Sequence, residues 1–300
     1  MGNILNFFES KSNKYFLATA LLSLVFITFI FYVLLNINNE KKLISKLENS
    51  LVITKNLLEE EKRYALSLSI LLAEDKELIK AYSNDERLKV FNIVNKKINT
   101  LKKLQNTLFE VQVHTKELNT YIRSWDFSIK DIPLSSFRQG LVKVKEDKKP
   151  LVSIELGKRL NIKAISPIID NNNFIGSIEV IIGFEHIEKE LKQKAYELCI
   201  LLDDKYLNIA TSLKNNQKLD GFTLVNQKET LHSHKFSLKE LKDYGYFTNK
   251  ELGFSYFTYY SLKKEKLGYF IISSKNSSKL QLNENYENIY TKQESKVFIQ

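Results

Sequence analysis

Two arginines set among aromatic rings are the groups in this sequence best equipped for chemistry. Tyr121, Arg123 and Trp125 stand at alternate positions, and Phe137-Arg138 follows one loop later. In an extended segment alternate side chains share a face, so the first three would line one wall. A guanidinium forks onto a carboxylate or phosphate as a lysine cannot. Trp and Tyr add flat walls with a polar tip. The chemistry implied is capture of a small organic anion, with Arg138 as a second cation at the rim. The competing use of Arg123 is an ion pair with Glu155 or another carboxylate that merely ties sheet to loop. Glu155 itself precedes Gly157 and Lys158-Arg159, and an ion pair holding that turn is its plainer reading. His114 closes a strand-like run, where it either faces the pocket or is a hydrogen-bonded structural residue. Lys163 and Ser166 lie on a later strand and either reach the same cavity or face solvent.

Other chemistries find little support. The sequence has no phosphate-cradling glycine loop, no GxSxG, no HExxH and no CxxC, so neither catalysis nor a cofactor is expected. His232 and His234 would share a face of an extended segment, but no third ligand is evident nearby, so no metal is expected. Cys199 sits in the apolar run 198–201, where packing is the better reading, and Asp203-Asp204 reads as a turn. A single cysteine excludes an intrachain disulfide without excluding the periplasm. The formal net charge is +10. Its lysines alternate with Glu, Asp and Asn instead of clustering with arginines and aromatics, which argues against nucleic acid and for a basic domain held near anionic lipid.

The elements that must position these residues are readable in order. Residues 1–14 are a polar lead; Gly2 opens like a myristoylation site, but Asn6 breaks the motif. Residues 15–35 carry no charge and as a helix would span roughly 31 Å, matching a bilayer core of about 30 Å. A cleavable signal peptide would be shorter and end in small residues, so 15–36 reads as an uncleaved anchor. From 37 to 105 Ile44, Leu47, Leu51, Leu58, Ala65, Leu68 and Leu72 recur at helical spacing, with one break at Asn84-Asp85-Glu86. Strands are expected at 108–113, 121–125, 162–169 and 174–184, the last two joined by Asp170-Asn171-Asn172-Asn173 as a hairpin. They make an antiparallel sheet with a pocket over its open face. A charged helix at 185–194 leads to further strands at 196–203, 207–211, 252–261 and 267–273, and to a polar, helical tail at 275–300.

His114-Thr115, Tyr121-Ile122-Arg123, Phe137-Arg138, Glu155-x-Gly157-Lys158, the run 164–168 and the run 174–179 resemble, in that order, the extracytoplasmic double Cache sensor domain of bacterial chemoreceptors and sensor kinases. The resemblance covers residues 40 to 275. It implies an α+β protein with an N-terminal transmembrane helix, a long stalk helix and two tandem PAS-like (Cache) antiparallel-sheet modules. The first and membrane-distal module would be 106–194 and the second 195–274. It implies sensing of a small-molecule ligand for signal transduction or chemotaxis, with Arg123, Trp125, Arg138, Tyr121, His114, Phe137, Glu155 and Lys163 as ligand-binding residues. A homodimer and a separate or missing cytoplasmic output are implied as well. Lysines 41, 42 and 46 after the span outnumber Lys11 and Lys14 before it, which opposes a positive-inside count. The resemblance instead sets the N-terminus inside and the domain in the periplasm. The family's amino-acid-binding subgroup has a tyrosine after Arg-x-Trp; Asp126 stands there, so amino-acid sensing is not supported. The alternative is a membrane-tethered scaffold with the same fold and no ligand.

Overall fold

The apolar stretch and the amphipathic stripe form one helix, α1 (Lys11–Ala73). The computed structural model describes residues 11–105, 108–226, 238, 241–249 and 251–276. His232, His234, most of the lead and the tail beyond 276 lie outside them. At 1.5 Å per residue the 63 residues of α1 extend about 95 Å. Residues 14–35 are exposed all round, and this end of the helix is long and apolar enough to cross a membrane. From Leu43 onward one stripe is buried, through Leu47, Leu51, Leu58, Ala65, Leu68 and Leu72, which is the 3.6-residue period expressed as packing.

The spacing predicts one break in the helical region, and the structure has two. The first follows Ala73: the Asp75 carboxylate accepts a hydrogen bond from Leu78 N at 2.9 Å and caps α2 (Lys76–Ser83). The second falls at 84–86, where Asp85 takes a positive φ of 56° before α3 (Arg87–Gln105). Arg87 then donates to Tyr121 O at 2.8 Å and Ile129 O at 3.0 Å, fastening α3 to the loop it must hold.

The first sheet contains β1 (Phe109–Thr115), β2 (Thr120–Arg123), β3 (Leu151–Leu156), β4 (Leu160–Asp170) and β5 (Asn173–Ile182), in the order β2-β1-β5-β4-β3. It is antiparallel throughout. The β4–β5 hairpin turns on Asn171 and Asn172 with φ of 46° and 65°, a conformation asparagine tolerates well. The fifth strand, β3, is not among the four expected. Between β2 and β3 lies α4 (Gln139–Asp147), and α5 (Glu185–Gln193) links to the second sheet. That sheet is β6 (Glu197–Asp203), β7 (Lys218–Leu219), β8 (Phe222–Leu224), β9 (Tyr244–Thr248), β10 (Leu252–Tyr260) and β11 (Lys266–Lys275), in the order β7-β8-β6-β11-β10-β9. Residues 207–211, expected as a strand, instead turn between two single-turn 3-10 helices, Asp204–Tyr206 and Thr211–Leu213: Asp203 accepts from Lys205 N, and Leu207 N returns to Asp204 O.

One core runs under both sheets, built on the same face of each against α1. Each sheet also grips α1 with one buried hydroxyl pair. Ser69 Oγ lies 2.8 Å from Ser166 Oγ on β4, and Ser50 Oγ lies 2.6 Å from Ser255 Oγ on β10. Both strands are next to last in their sheets, and both serines sit opposite an isoleucine of the hairpin partner, Ile178 and Ile272. The modules therefore hold the helix in the same way, with the second nearer the apolar end. Ser69→Ala strips Ser166 of its partner in a dry contact and is expected to cost about 1–2 kcal/mol in urea unfolding of the full chain in detergent. Ser69→Ala/Ser166→Ala should recover part of that loss; a double-mutant cost equal to the sum would show that the hydroxyls act independently.

Candidate ligand-binding cleft

Alternation along the strands of the first sheet divides their side chains between two faces. Phe109, Val111 and Val113 of β1 pack toward α1, while Glu110, Gln112 and His114 point outward, joined by Lys163 of β4 and Ser177 and Glu179 of β5. Part of this outer face is covered by α4 and its preceding loop through Leu118, Leu134, Leu141, Val144, Ile165 and Phe174. The remainder is an open cleft of about 490 Å³. Its walls are Gln112, Arg123, Trp125, Phe137, Arg138, Asn161, Lys163 and the turn Gly157-Lys158-Arg159, and Ser212 of the second module closes one side.

Arg123 reaches the cleft because it pairs with Gln112 across β1–β2. Its guanidinium lies 5.6 Å from the Trp125 ring centroid, a cation–π contact. Its Nε is buried without a hydrogen-bond partner, and no carboxylate among the described residues lies within 4.0 Å of it. Trp125 is not on the strand, which ends at Arg123; the turn Asp126 N to Arg123 O at 3.2 Å swings its ring back. Trp125 is 44% exposed and Phe137 38%, so each offers a ring face to whatever enters.

Tyr121 is not part of the cleft. The pairing steps from Val113↔Ile122 to His114↔Thr120 and leaves Tyr121 as the extra residue of a bulge. It turns to the helix side, where its ring packs 4.8 Å from that of Tyr82 and its hydroxyl donates to Asp85 Oδ1 at 2.9 Å. The strict alternation that would put Tyr121 beside Arg123 fails at that one step.

Beneath the cleft lies a layer of buried charge. Arg138, 4% exposed, pairs with Glu155 at 3.2 Å and with Glu179. Glu155 uses its other oxygen to accept from Gly140 N at 2.8 Å, capping α4. A β-carbon on Gly140 would come within 2.9 Å of the Ile165 side chain, so glycine is what lets helix and carboxylate meet. Glu155 is thus neither the partner of Arg123 nor merely the brace of its own turn, and it lies outside the cleft wall. His114 is also below the wall, fully buried, with Nδ1 3.1 Å from Ser177 Oγ and Nε2 3.6 Å from Glu179 Oε2. Burial pushes its pKa down to about 3 against the pull of Glu179, so the ring is neutral at ordinary pH. Burial works against the charges of Glu179 and Arg138 too. Arg138, then Lys163, override it and hold the Glu179 carboxyl below its usual range, and the two carboxylates hold Arg138 above its own. Lys163 Nζ donates to Leu156 O at 3.2 Å, and burial followed by the repulsion of Arg138 pushes it down to about 8.

Of the eight expected residues, the structure gathers Arg123, Trp125, Phe137, Arg138 and Lys163 on one cleft, sets His114 and Glu155 under it, and sends Tyr121 elsewhere. Glu179 was not among the eight, although a glutamate inside the apolar run 174–182 announces a buried counter-charge. Lys158-Arg159 stood out only as part of the turn after Glu155, and Asn161 and Ser212 gave no signal.

A family model described as the double sensory domain of two-component sensor kinases, the third double Cache type, matches residues 40–273. The chain belongs to the double Cache family. Its fold is similar to the extracellular domain of a protein described as a histidine kinase (TM-score 0.50, 12% identity, 81% of this chain and 94% of that one). It is similar to the same degree to a domain from Vibrio parahaemolyticus described as of the sensory box/GGDEF family (TM-score 0.50, 12% identity, 80% and 99%). The sensory domain of the Campylobacter jejuni chemoreceptor Tlp3 with isoleucine bound also matches, at a TM-score of 0.47 and 12% identity over 81% of this chain and 97% of that one. No curated protein matches the chain. In this double Cache sensor the two modules differ on their outer faces. Where the first has the cleft, the described residues of the second pack Phe222, Leu238, Phe254, Tyr256 and Tyr269 together, with Phe247 stacked 4.7 Å from Phe254.

Proposed function

We propose that this double Cache sensor is anchored in the cytoplasmic membrane by residues 15–35, with both modules in the periplasm, and that it captures a small organic anion in the cleft of the first module. The observation that carries this reading is Arg123: a guanidinium over a half-exposed tryptophan, facing an open cleft, attracted by Asp126, Glu179 and Glu110 but in ion-pair contact with no carboxylate among the described residues. A charge left without a partner at a cleft wall is supplied with one by a ligand. Occupancy then reaches the membrane through the floor. β4 carries Lys163 on the cleft side and Ser166 on the other, where it grips α1 at Ser69. The ligand biases two positions of that helix by its difference in affinity for them. The sensor works as a homodimer and hands its signal to a cytoplasmic module or a separate protein. It needs no metal, cofactor or catalytic step.

A thermal-shift screen of organic acids on the full chain in detergent tests this. A binding acid at a hundredfold excess over Kd stabilises by about 2.7 kcal/mol. Arg123→Ala should keep the ligand-free melting point nearly unchanged while weakening the acid about 30-fold or more. A variant that keeps the shift, or that unfolds without ligand, removes Arg123 from the binding role. A wild type that responds to no acid leaves the tethered scaffold.

A further inference from the structure

The cleft wall also holds one primary amine withdrawn from water. Lys163 is 4% exposed, and its one described hydrogen bond goes to a backbone carbonyl, Leu156 O. Its Nζ rests on the bare face of Gly157, where a β-carbon would lie 2.7 Å away. Around it the cleft and its floor set Arg123, Arg138, Lys158, Arg159 and Lys163 itself against four carboxylates among the described residues, Glu110, Asp126, Glu155 and Glu179. Glu155 and Glu179 are taken by Arg138 and Glu110 by Arg159, while Asp126 attracts Arg123 without an ion pair. A lysine at its ordinary pKa of about 10.4 offers roughly one neutral amine in a thousand at neutral pH. Lys163, pushed down to about 8 by burial and Arg138, offers about a quarter near pH 7.5.

We propose that Lys163 is a site of reversible carbamylation by carbon dioxide, and that the carbamate competes with the organic anion for the cleft. This rests on the reading of the cleft as an anion site. The nitrogen lone pair adds to the carbon of CO2 and forms the N–C bond. One C–O π pair moves onto oxygen, and one N–H proton passes to water in the cleft. Nothing is oxidised or reduced, and protonation of the nitrogen reverses the step. The product places a negative charge where a positive one stood, which turns the one-charge excess that the anion would otherwise answer into a one-charge deficit. Dissolved carbon dioxide therefore acts as an antagonist built into the binding site.

The test is to equilibrate the full chain in detergent with 13C-bicarbonate, trap carbamates with triethyloxonium and map them by mass spectrometry. The expected result is labelling at Lys163 about tenfold or more above that at exposed lysines, absent in Lys163→Gln. Label confined to the N-terminal amine or to solvent-facing lysines overturns the proposal. The labelled position is mapped on the wild type, so the outcome does not depend on how well the variant folds. Organic-acid thermal shifts in CO2-free buffer test the anion reading separately, so either idea can fail alone.

Discussion

Methionine at Arg138 is expected to cost about 3–5 kcal/mol, the largest single-residue loss in the first module. The guanidinium is 4% exposed and answers two carboxylates, Glu155 at 10% and Glu179 at 0% side-chain exposure. Without it two negative charges remain in a dry layer, and the nearest cation is Lys163, whose amine is itself held down to about 8. Glu179→Gln should cost less, since Arg138 keeps Glu155 and the amide still accepts a hydrogen bond. The triple variant Arg138→Met/Glu155→Gln/Glu179→Leu should recover much of the loss, because removing a whole buried cluster avoids stranding any charge. Trp125 is the sole tryptophan and sits at the cleft, so its fluorescence follows chemical unfolding of the full chain directly. A loss below about 1 kcal/mol for Arg138→Met would mean that water reaches the carboxylates and that the cleft is deeper than described.

Acid should weaken the first module well before its carboxylates titrate. His114 has a folded pKa of about 3 against an ordinary value of 6.5, so between these the unfolded chain binds the extra proton. Its contribution is complete above about pH 6.5 and falls as pH drops, by about 1.4 kcal/mol per unit, reaching roughly 2 kcal/mol near pH 5. The groups facing the ring are Glu179, Arg138, Arg123 and Lys163. Glu179, held below its usual range, adds its own loss only below its ordinary value of 4.5. Glu61, raised by burial in α1, runs in the opposite sense, so the comparison that isolates the histidine is wild type against His114→Gln. Denaturant unfolding at stepped pH should show the wild type losing about 2 kcal/mol relative to the variant between about pH 6.5 and 5. Parallel lines would place the acid response elsewhere.

What could be read beforehand follows from how far each interaction reaches along the chain. The stripe Leu47, Leu51, Leu58, Ala65 and Leu72 declares its helix because its signal repeats every turn, and the Asn171-Asn172 turn declares its hairpin through local backbone preference. The break at Asp75 escapes the pattern because a single capping bond, spread over four residues, outweighs no periodic signal until the structure shows the helix turning there. The strand expected at 207–211 fails for a similar reason: five residues of pattern lose to one aspartate cap and a 3-10 bond.

The candidate site divides the same way. Sequence alone determined that arginines and aromatics stand close together near an antiparallel sheet, in an order that resembles double Cache sensors, after a segment long enough to cross a bilayer. It could not determine which carboxylate belongs to which arginine. Glu179 lies 41 residues from Arg138 and meets it only because β5 is the central strand of the first sheet. Nor could it foresee that one bulged residue would send Tyr121 to the helix side, or that Phe222, Phe254, Tyr256 and Tyr269 would gather on the outer face of the second sheet. Periodicity and turn preference are summed over neighbours in the chain, whereas charge pairing and pocket shape are set by neighbours in space, and only the folded sheet decides who those are.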